Sequence, residues 1–419
     1  MFRNFGIVAV IGLSWAGATI VSGEETARDY TTRAVQFVKE GKMNEALEAF
    51  SKAIELAPND PIYYRNRAAL YAHLKQWDKA IGDYTEVLKH QENDVAIQFS
   101  RGFAFLQLGK LDDAEKDFDS VLAAKPDDEN ALRYRAFVYI EKKEPDKAID
   151  DLNKLIASHP DDPQNYETRA KVYAASSKWQ EAIDDYSKVL AKNPKDTTAL
   201  WAQALAYLRT NNSAKELDDL NALLAVSPTN IEAMKERADL YRGSGEFDKA
   251  IADYTQALQL QANDAGLYAG RAFAELKKND KAAALNDFNK AIELAPDQSD
   301  YYTGRAYIFV SNGDSAKALQ DFNRLISLKP QDADLYVRRG DVYCKLNQWD
   351  QAGADYDKAL ELDPNNVMAL AGKGLVTGKK GNIRAGAEQL QKALQLAKDP
   401  DQQQEIRIKL RDIGVGPRL

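Results

Sequence analysis

The sequence predicts an all-α chain built from tandem helical hairpins, and three observations carry that prediction. The first is residues 333–366, ADLYVRRGDVYCKLNQWDQAGADYDKALELDPNN, which hold two amphipathic patterns. Tyr336, Gly340 and Tyr343 fall at i, i+4 and i+7, on one face of a helix, and after a break Ala352, Tyr356 and Ala359 do the same. Pro364 stops the second helix, because proline has no N–H for the ladder. The second observation is a fixed 34-residue period, repeated eleven times from Ala27 to Pro400 without insertion or deletion. The third is that Pro58, Pro126, Pro160, Pro194, Pro228, Pro296, Pro330 and Pro364 close eight of these windows.

Within each window the small and large places keep their register. The eighth place holds Ala34, Ala68, Gly102, Ala136, Ala170, Ala204, Ala238, Ala272, Ala306, Gly340 and Gly374, so two helices can approach closely there. The twentieth is Ala in nine windows, with Glu216 and Gly386 as departures. The twenty-fourth is always large, from Phe50 and Tyr84 through Phe288 and Phe322 to Tyr356 and Leu390. In this period, these small residues and the closing proline, the chain resembles the tetratricopeptide repeat (TPR) family. That resemblance implies a right-handed superhelix whose first helices line a concave face, where partners dock. An array of this kind needs no central core, since each hairpin buries its apolar face on its neighbours.

Taken in order, the first 23 residues stand outside the repeats. Arg3 precedes the uncharged run from Phe5 to Trp15, and small residues follow at Ala16-Gly17-Ala18 and Val21-Ser22-Gly23. This reads as a secretory signal peptide, with an uncleaved membrane anchor as the rival, so the expected location is periplasmic or secreted. The membrane is a partner only if the segment is retained. The window 27–60 is a full repeat, and Pro61 suits the first position of the next helix. Windows 95–196 are regular, with Pro145 opening a second helix. The sixth window, 197–230, departs most: Glu216 occupies the alanine place, and Asn211-Asn212-Ser213 replaces the usual turn. A carboxylate there must reach solvent or hold the helices apart, which predicts a loosened joint. Windows 231–366 are regular, and the last, 367–400, is glycine-rich as terminal repeats often are. Residues 401–419 offer Ile406, Leu410 and Ile413 at i, i+4 and i+7, a capping helix, with a frayed tail expected from Gly414.

A second register runs through the charged residues. Arg67, Arg101, Arg135, Arg169, Arg237, Arg271, Arg305 and Arg339 share the seventh place, and each has an aspartate at the twenty-third place of its own window. The spacing predicts a forked guanidinium–carboxylate pair inside each of these eight hairpins.

Composition narrows the function. With 56 Lys and Arg against 64 Asp and Glu, the surface lacks the basic bias that phosphate backbones require, so nucleic acid is excluded as the main partner. The only cysteine, Cys344, allows no internal disulfide and reads as a small packing residue. His73, His90 and His159 have no metal-ligand spacing, and no phosphate loop, nucleophile elbow or other cofactor motif is present. The expectation is a non-enzyme without cofactor or metal.

What remains is binding of other proteins or peptides. By the resemblance, the fifth, ninth and twelfth places face the groove, and they supply Phe99, Phe103 and Leu106, then Phe137 and Ile140, then Trp201, Leu205 and Leu208. Phe273 and Tyr307 form a smaller cluster, and Arg65 and Arg133 could hold an acidic partner. Packing against the adjacent repeat is the competing reading of these side chains. The chain is therefore expected to be an exported interaction scaffold; the alternative is an aromatic groove that handles carbohydrate during polysaccharide or peptidoglycan export. A chaperone-tail clamp, which the family builds from Lys and Asn at the fifth and ninth places, finds no matching window.

Overall fold

A computed structural model describes residues 25–416; the segment read as a signal peptide, 1–23, lies outside them. Twenty-three helices and no strand occur among the described residues. In order they are α1 (Ala27–Lys39) and α2 (Met43–Leu56), α3 (Pro61–His73) and α4 (Trp77–His90), α5 (Val95–Gln107) and α6 (Leu111–Ala124), α7 (Glu129–Glu141) and α8 (Pro145–Ser158), α9 (Pro163–Ala175) and α10 (Trp179–Lys192), and α11 (Thr197–Arg209) and α12 (Ser213–Val226). There follow α13 (Ile231–Ser244) and α14 (Phe247–Leu260), α15 (Ala265–Lys277) and α16 (Lys281–Leu294), α17 (Ser299–Asn312) and α18 (Ser315–Leu328), α19 (Ala333–Lys345) and α20 (Trp349–Leu362), α21 (Val367–Lys379) and α22 (Ile383–Leu396), and lastly α23 (Pro400–Asp412). The first helix of every pair begins on the first place of a window. Packing divides the chain into two compact units inside α12, one ending at Asp219 and the other beginning at Leu220.

Local chemistry sets where these helices start and stop. Asp60, Asp94, Asp128, Asp162, Asp196, Asn230, Asp264, Asp332 and Asn366 stand one residue before a first helix and accept a backbone N–H of its first turn. Each first helix ends on a residue of positive φ at the fifteenth place, from Gly41 to Gly381. Behind it the chain folds back, as where the Lys110 N–H donates to the Phe105 carbonyl at 2.9 Å. Six of these residues are not glycine, Asn211 among them at φ 55°. The sixth repeat therefore keeps the common turn, contrary to the expectation for Asn211-Asn212-Ser213: asparagine tolerates the left-handed region.

The core is the repeated contact between the small and large places. The alanines at the eighth and twentieth places are 0–1 % exposed, and the large residues at the twenty-fourth are 6 % exposed or less. In three repeats the next first helix comes so near the aromatic ring that only glycine fits: a Cβ on Gly304 would lie 2.3 Å from Phe288, and one on Gly372 2.3 Å from Tyr356.

The predicted arginine–aspartate pairs form in all eight hairpins, with Nε and Nη2 donating to the two carboxylate oxygens at 2.6–3.0 Å. The aspartates are only 2–7 % exposed. A third arm was not foreseen. Nη1 reaches back to the preceding repeat, to Ser51, Thr85, Asp119, Asn153, Asn221, Thr255, Asn289 or Asn323, at 2.5–3.3 Å. Each arginine thus ties together two helices of its own hairpin and the second helix of the one before.

The sixth repeat breaks this ladder. Gln203 replaces arginine and keeps the backward link, donating Nε2 to Ser187 Oγ at 2.7 Å and to the Ile183 carbonyl at 3.0 Å. Asp219 has no guanidinium, and its Oδ2 is buried without a hydrogen-bond partner. Burial, then the neighbouring Asp218, pushes its carboxyl up to about 7 against the opposing pull of Lys215. Glu216 is 1 % exposed, so it does not lean into water, and the division between the two units falls in the same helix.

At the carboxyl end α23 covers the last hairpin as expected, with Ile406 fully buried and Ile413 5 % exposed. The chain is not frayed at Gly414. Its N–H donates to the Arg411 carbonyl at 2.9 Å, that of Val415 to Leu410 at 3.0 Å, and Gly414 takes φ 88°. This is a Schellman cap, which satisfies carbonyls that the helix end leaves open.

Three outcomes follow from these contacts. Arg305→Met strands the Asp321 carboxylate in the core, and chemical denaturation should show a loss of about 3–5 kcal/mol, the scale for breaking a buried pair; a loss under about 1 kcal/mol would place the pair with weak surface bridges. Glu216→Ala relieves a buried carboxylate and should raise the thermal midpoint by about 2–4 °C per kcal/mol recovered, whereas an unchanged or lower midpoint would show that the carboxylate is well accommodated. For Asp219 the folded acid holds its proton more tightly than the unfolded one. Its contribution to stability is present below the ordinary value of 3.8 and is lost as pH rises to about 7. Asp219→Asn should match the wild type near pH 4 and exceed it by a margin that widens until about pH 7; a margin independent of pH would contradict the assignment.

Candidate partner-binding site

The residues expected to face a groove divide by exposure. In the first unit Phe99 is half-buried, its ring 5.8 Å from those of Phe118 and Tyr134. Phe103 stands edge-on to Trp77 at 5.8 Å and to Tyr134 at 5.2 Å. Leu106 is 7 % exposed and belongs to the apolar cluster around Phe118 and Leu132, and Ile140 packs on the same cluster. Leu106 therefore offers nothing to a ligand, because its place in this repeat turns into the hairpin. Trp201, Leu205 and Leu208 are half-buried. In the second unit Phe273 packs edge-on against Phe288 at 5.0 Å. Of the expected aromatic and aliphatic side chains only Phe137, 40 % exposed, and Tyr307, 60 % exposed, stand clear. Arg65 donates to Gln91 at 3.1 Å and to the Asp94 carboxylate, and Arg133 lies 3.6 Å from Asp162. Both aspartates cap the following first helix, so these two cations are engaged within the chain.

The second unit brings a different set together around a cavity of about 830 Å³. Three helices each offer a stripe at i, i+4 and i+7. From α17 come Thr303, Tyr307 and Val310; from α19, Arg338, Val342 and Lys345, with Asp341 alongside; and from α23, Glu405, Lys409 and Asp412, with Ile408 alongside. Leu375 of α21 completes the wall. Thr303 is at a fifth place and Tyr307, Asp341 and Leu375 at ninth places, as the groove pattern anticipates; Phe273 does not reach the cavity. The contribution of α23 was missed. Its buried face was legible from Ile406, Leu410 and Ile413, but nothing in one isolated helix says that the adjacent face meets α19.

The polar groups of this wall hold one another. Tyr356 is buried, and its hydroxyl donates to Asp341 Oδ1 at 2.7 Å. The same arrangement recurs where Tyr254 donates to Asp239 at 2.7 Å, so aspartate at the ninth place answers a buried tyrosine. Lys409, 8 % exposed, lies 3.8 Å from Asp341 and donates to Glu405 at 2.7 Å. Desolvation raises the Asp341 carboxyl, while Lys409 and the Tyr356 hydroxyl act against that shift. Burial would lower the Lys409 ammonium, yet the carboxylates of Asp341 and Glu405 lift it above its ordinary value. Cys344 is half-buried with Sγ 3.4 Å from the Tyr356 hydroxyl, and burial pushes its thiol up, away from the reactive thiolate. Among the described residues no cluster of His, Cys, Asp and Glu could hold a metal ion, and no helix is long and apolar enough to cross a membrane.

Comparison with known proteins bears on the same architecture. Family models described as tetratricopeptide repeat or TPR repeat match residues 36–75, 105–172, 168–231, 231–264, 274–333 and 333–366. No curated protein matches the chain. Among solved structures, the C-terminal part of a TPR repeat-containing protein from Cytophaga hutchinsonii is 20 % identical, with TM-score 0.51, over 57 % of this chain and 98 % of that one. A tetratricopeptide repeat protein from Parabacteroides merdae is 24 % identical over 59 % of this chain and 98 % of its own, with TM-score 0.43. Yeast Tom70 is 17 % identical over 92 % and 95 % of the two chains, with TM-score 0.36. The repeating helical pairs, their register and the family-model matches over more than half of the chain agree, and the chain belongs to the tetratricopeptide repeat family.

Proposed function

We propose that the chain is a non-catalytic scaffold, exported to the cell envelope, that holds segments of partner proteins on the inner faces of its repeats. A protein-interaction scaffold is what the TPR fold itself supports. The observation that carries the finer reading is the cavity of about 830 Å³ lined by first helices of successive repeats, within the size of pockets that enclose ligands. Tyr307 presents most of its ring there, an amphipathic side chain of the kind that anchors interfaces. Export rests on Arg3 and the apolar run from Phe5 to Trp15 followed by small residues. The exposed rings of Phe137 and Tyr307 also favour a second reading, carbohydrate handling, in which flat aromatic faces stack on sugars.

Crosslinked pull-down from whole envelope separates these. Wild type is compared with Tyr307→Glu and with Phe137→Glu, each first shown to keep its helicity. A protein enriched by the wild type and lost with one variant places the contact in that repeat. Recovery of the same proteins by all three would remove both rings from the site. Saturable glycan affinity without any protein partner would instead select the second reading. The mass of the exported protein reports whether the amino-terminal segment is cleaved.

A further inference from the structure

One hairpin of the second unit departs from the repeat register at a buried charge. In seven of the eight arginine–aspartate forks the eleventh place is aromatic, and its ring lies 5.6–6.0 Å from the guanidinium, from Tyr71 on Arg67 to Tyr343 on Arg339. In four of those hairpins a lysine at the nineteenth place, such as Lys147 on Tyr139, approaches the same ring. The eighth repeat has neither: Glu275 stands at the eleventh place and Ala283 at the nineteenth. A ring that covers the ion pair elsewhere is replaced here by a second carboxyl group.

Glu275 sits where it is poorly solvated and unbonded. Its side chain is 12 % exposed, Oε2 is buried without a hydrogen-bond partner, and Oε1 lies 3.9 Å from Arg271 Nε. That N–H already donates to Asp287 Oδ2 at 2.6 Å, while Nη2 donates to Oδ1 at 2.9 Å and Nη1 to Thr255 of α14 at 3.0 Å. One guanidinium therefore faces two carboxyl groups and bonds one. The other charged groups of the surrounding helices are committed or distant. Lys278 on the same helix donates to Asp248 of α14, Asp280 caps α16, and Lys235 of α13 lies by Gly266 at the opposite end of α15. We propose that the α15–α16 hairpin is a pH-sensitive element of the array, tight while Glu275 carries a proton and looser when that carboxyl ionises beside Asp287. Burial and then Asp287 raise the Glu275 carboxyl to about 7 against the pull of Arg271, with Asp280 adding to the rise and Lys278 opposing it. The folded acid thus holds its proton more tightly than the opened one. Its contribution to stability is present below the ordinary value of 4.5 and is lost as pH rises to about 7.

The test is hydrogen exchange of the full chain, read by mass spectrometry over residues 265–294 and corrected for the chemical exchange rate at each pH. Between pH 6 and pH 8 protection in this hairpin should fall about tenfold, the change produced by a carboxyl that moves from about 7 to its ordinary value on opening. Glu275→Gln, uncharged at every pH and of the same size, should abolish the fall. Glu275→Tyr restores a ring at the eleventh place and should do the same, so it carries the comparison if the glutamine variant does not fold. Protection independent of pH in the wild type would overturn the proposal. A fall that persists in Glu275→Gln would also overturn it, by placing the titrating group elsewhere. Weaker protection of Glu275→Gln than of the wild type at pH 8 would do so too, because the ionised acid would then be a working partner of Arg271.

Discussion

The interaction on which each unit depends is the three-armed arginine. A guanidinium has donors in a fixed plane, and here two of them close a fork on an aspartate while a third reaches the previous repeat. A lysine could not do this: Lys373, at the same place, reaches Asp357 behind it and nothing in its own hairpin, where Gln389 stands instead of aspartate. Because the aspartates are buried, each pair is more than a surface bridge. It fixes how far one helix slides along the next, which apolar contacts between alanine and aromatic places leave loosely defined. In a linear array, where contacts are local, a device repeated in eight hairpins ties each of them to the one before.

Against that background the sixth repeat is informative. Gln203 retains the backward contact and abandons the forward one, so the link to the preceding hairpin survives while Asp219 loses its cation. Glu216 adds a second buried carboxylate in the same helix, where the division between the two compact units falls. A helix that buries two acids, one of them an Asp219 without the arginine its place has elsewhere, is where local stability is expected to be lowest, since opening free energy follows local contacts rather than the global average.

The carboxyl end shows how an array can acquire a site that its repeats do not contain. The ninth-place aspartate and twenty-fourth-place tyrosine occur together twice, at Asp239–Tyr254 and Asp341–Tyr356, each satisfying a buried hydroxyl. In the first case Arg242 of the same helix supplies the counter-charge; in the second Lys409 arrives from α23. An element whose apolar face merely caps the last hairpin thereby turns its polar edge toward α19 and encloses a cavity. The exposed Tyr307 gains meaning only once that enclosure exists.

Taken alone, the sequence determined the helix type, the 34-residue register, the hairpin pairing, the buried alanine and aromatic places and the eight arginine–aspartate forks. All of these depend on spacing within one window, and a spacing repeated many times is legible without coordinates. The conformation of the fifteenth place and the third arm of the arginine were less visible. Several residue types tolerate the left-handed turn, and the backward acceptor varies among Ser, Thr, Asn and Asp. Only the tertiary structure decided which groove candidates meet water: Leu106 turns into the core, Phe99 and Phe103 lie among other rings, and Tyr307 stands out. It alone placed Lys409 against Asp341. Exposure and enclosure follow from the rotation between hairpins and from where the last helix lies, and neither quantity is written in the period of the repeat.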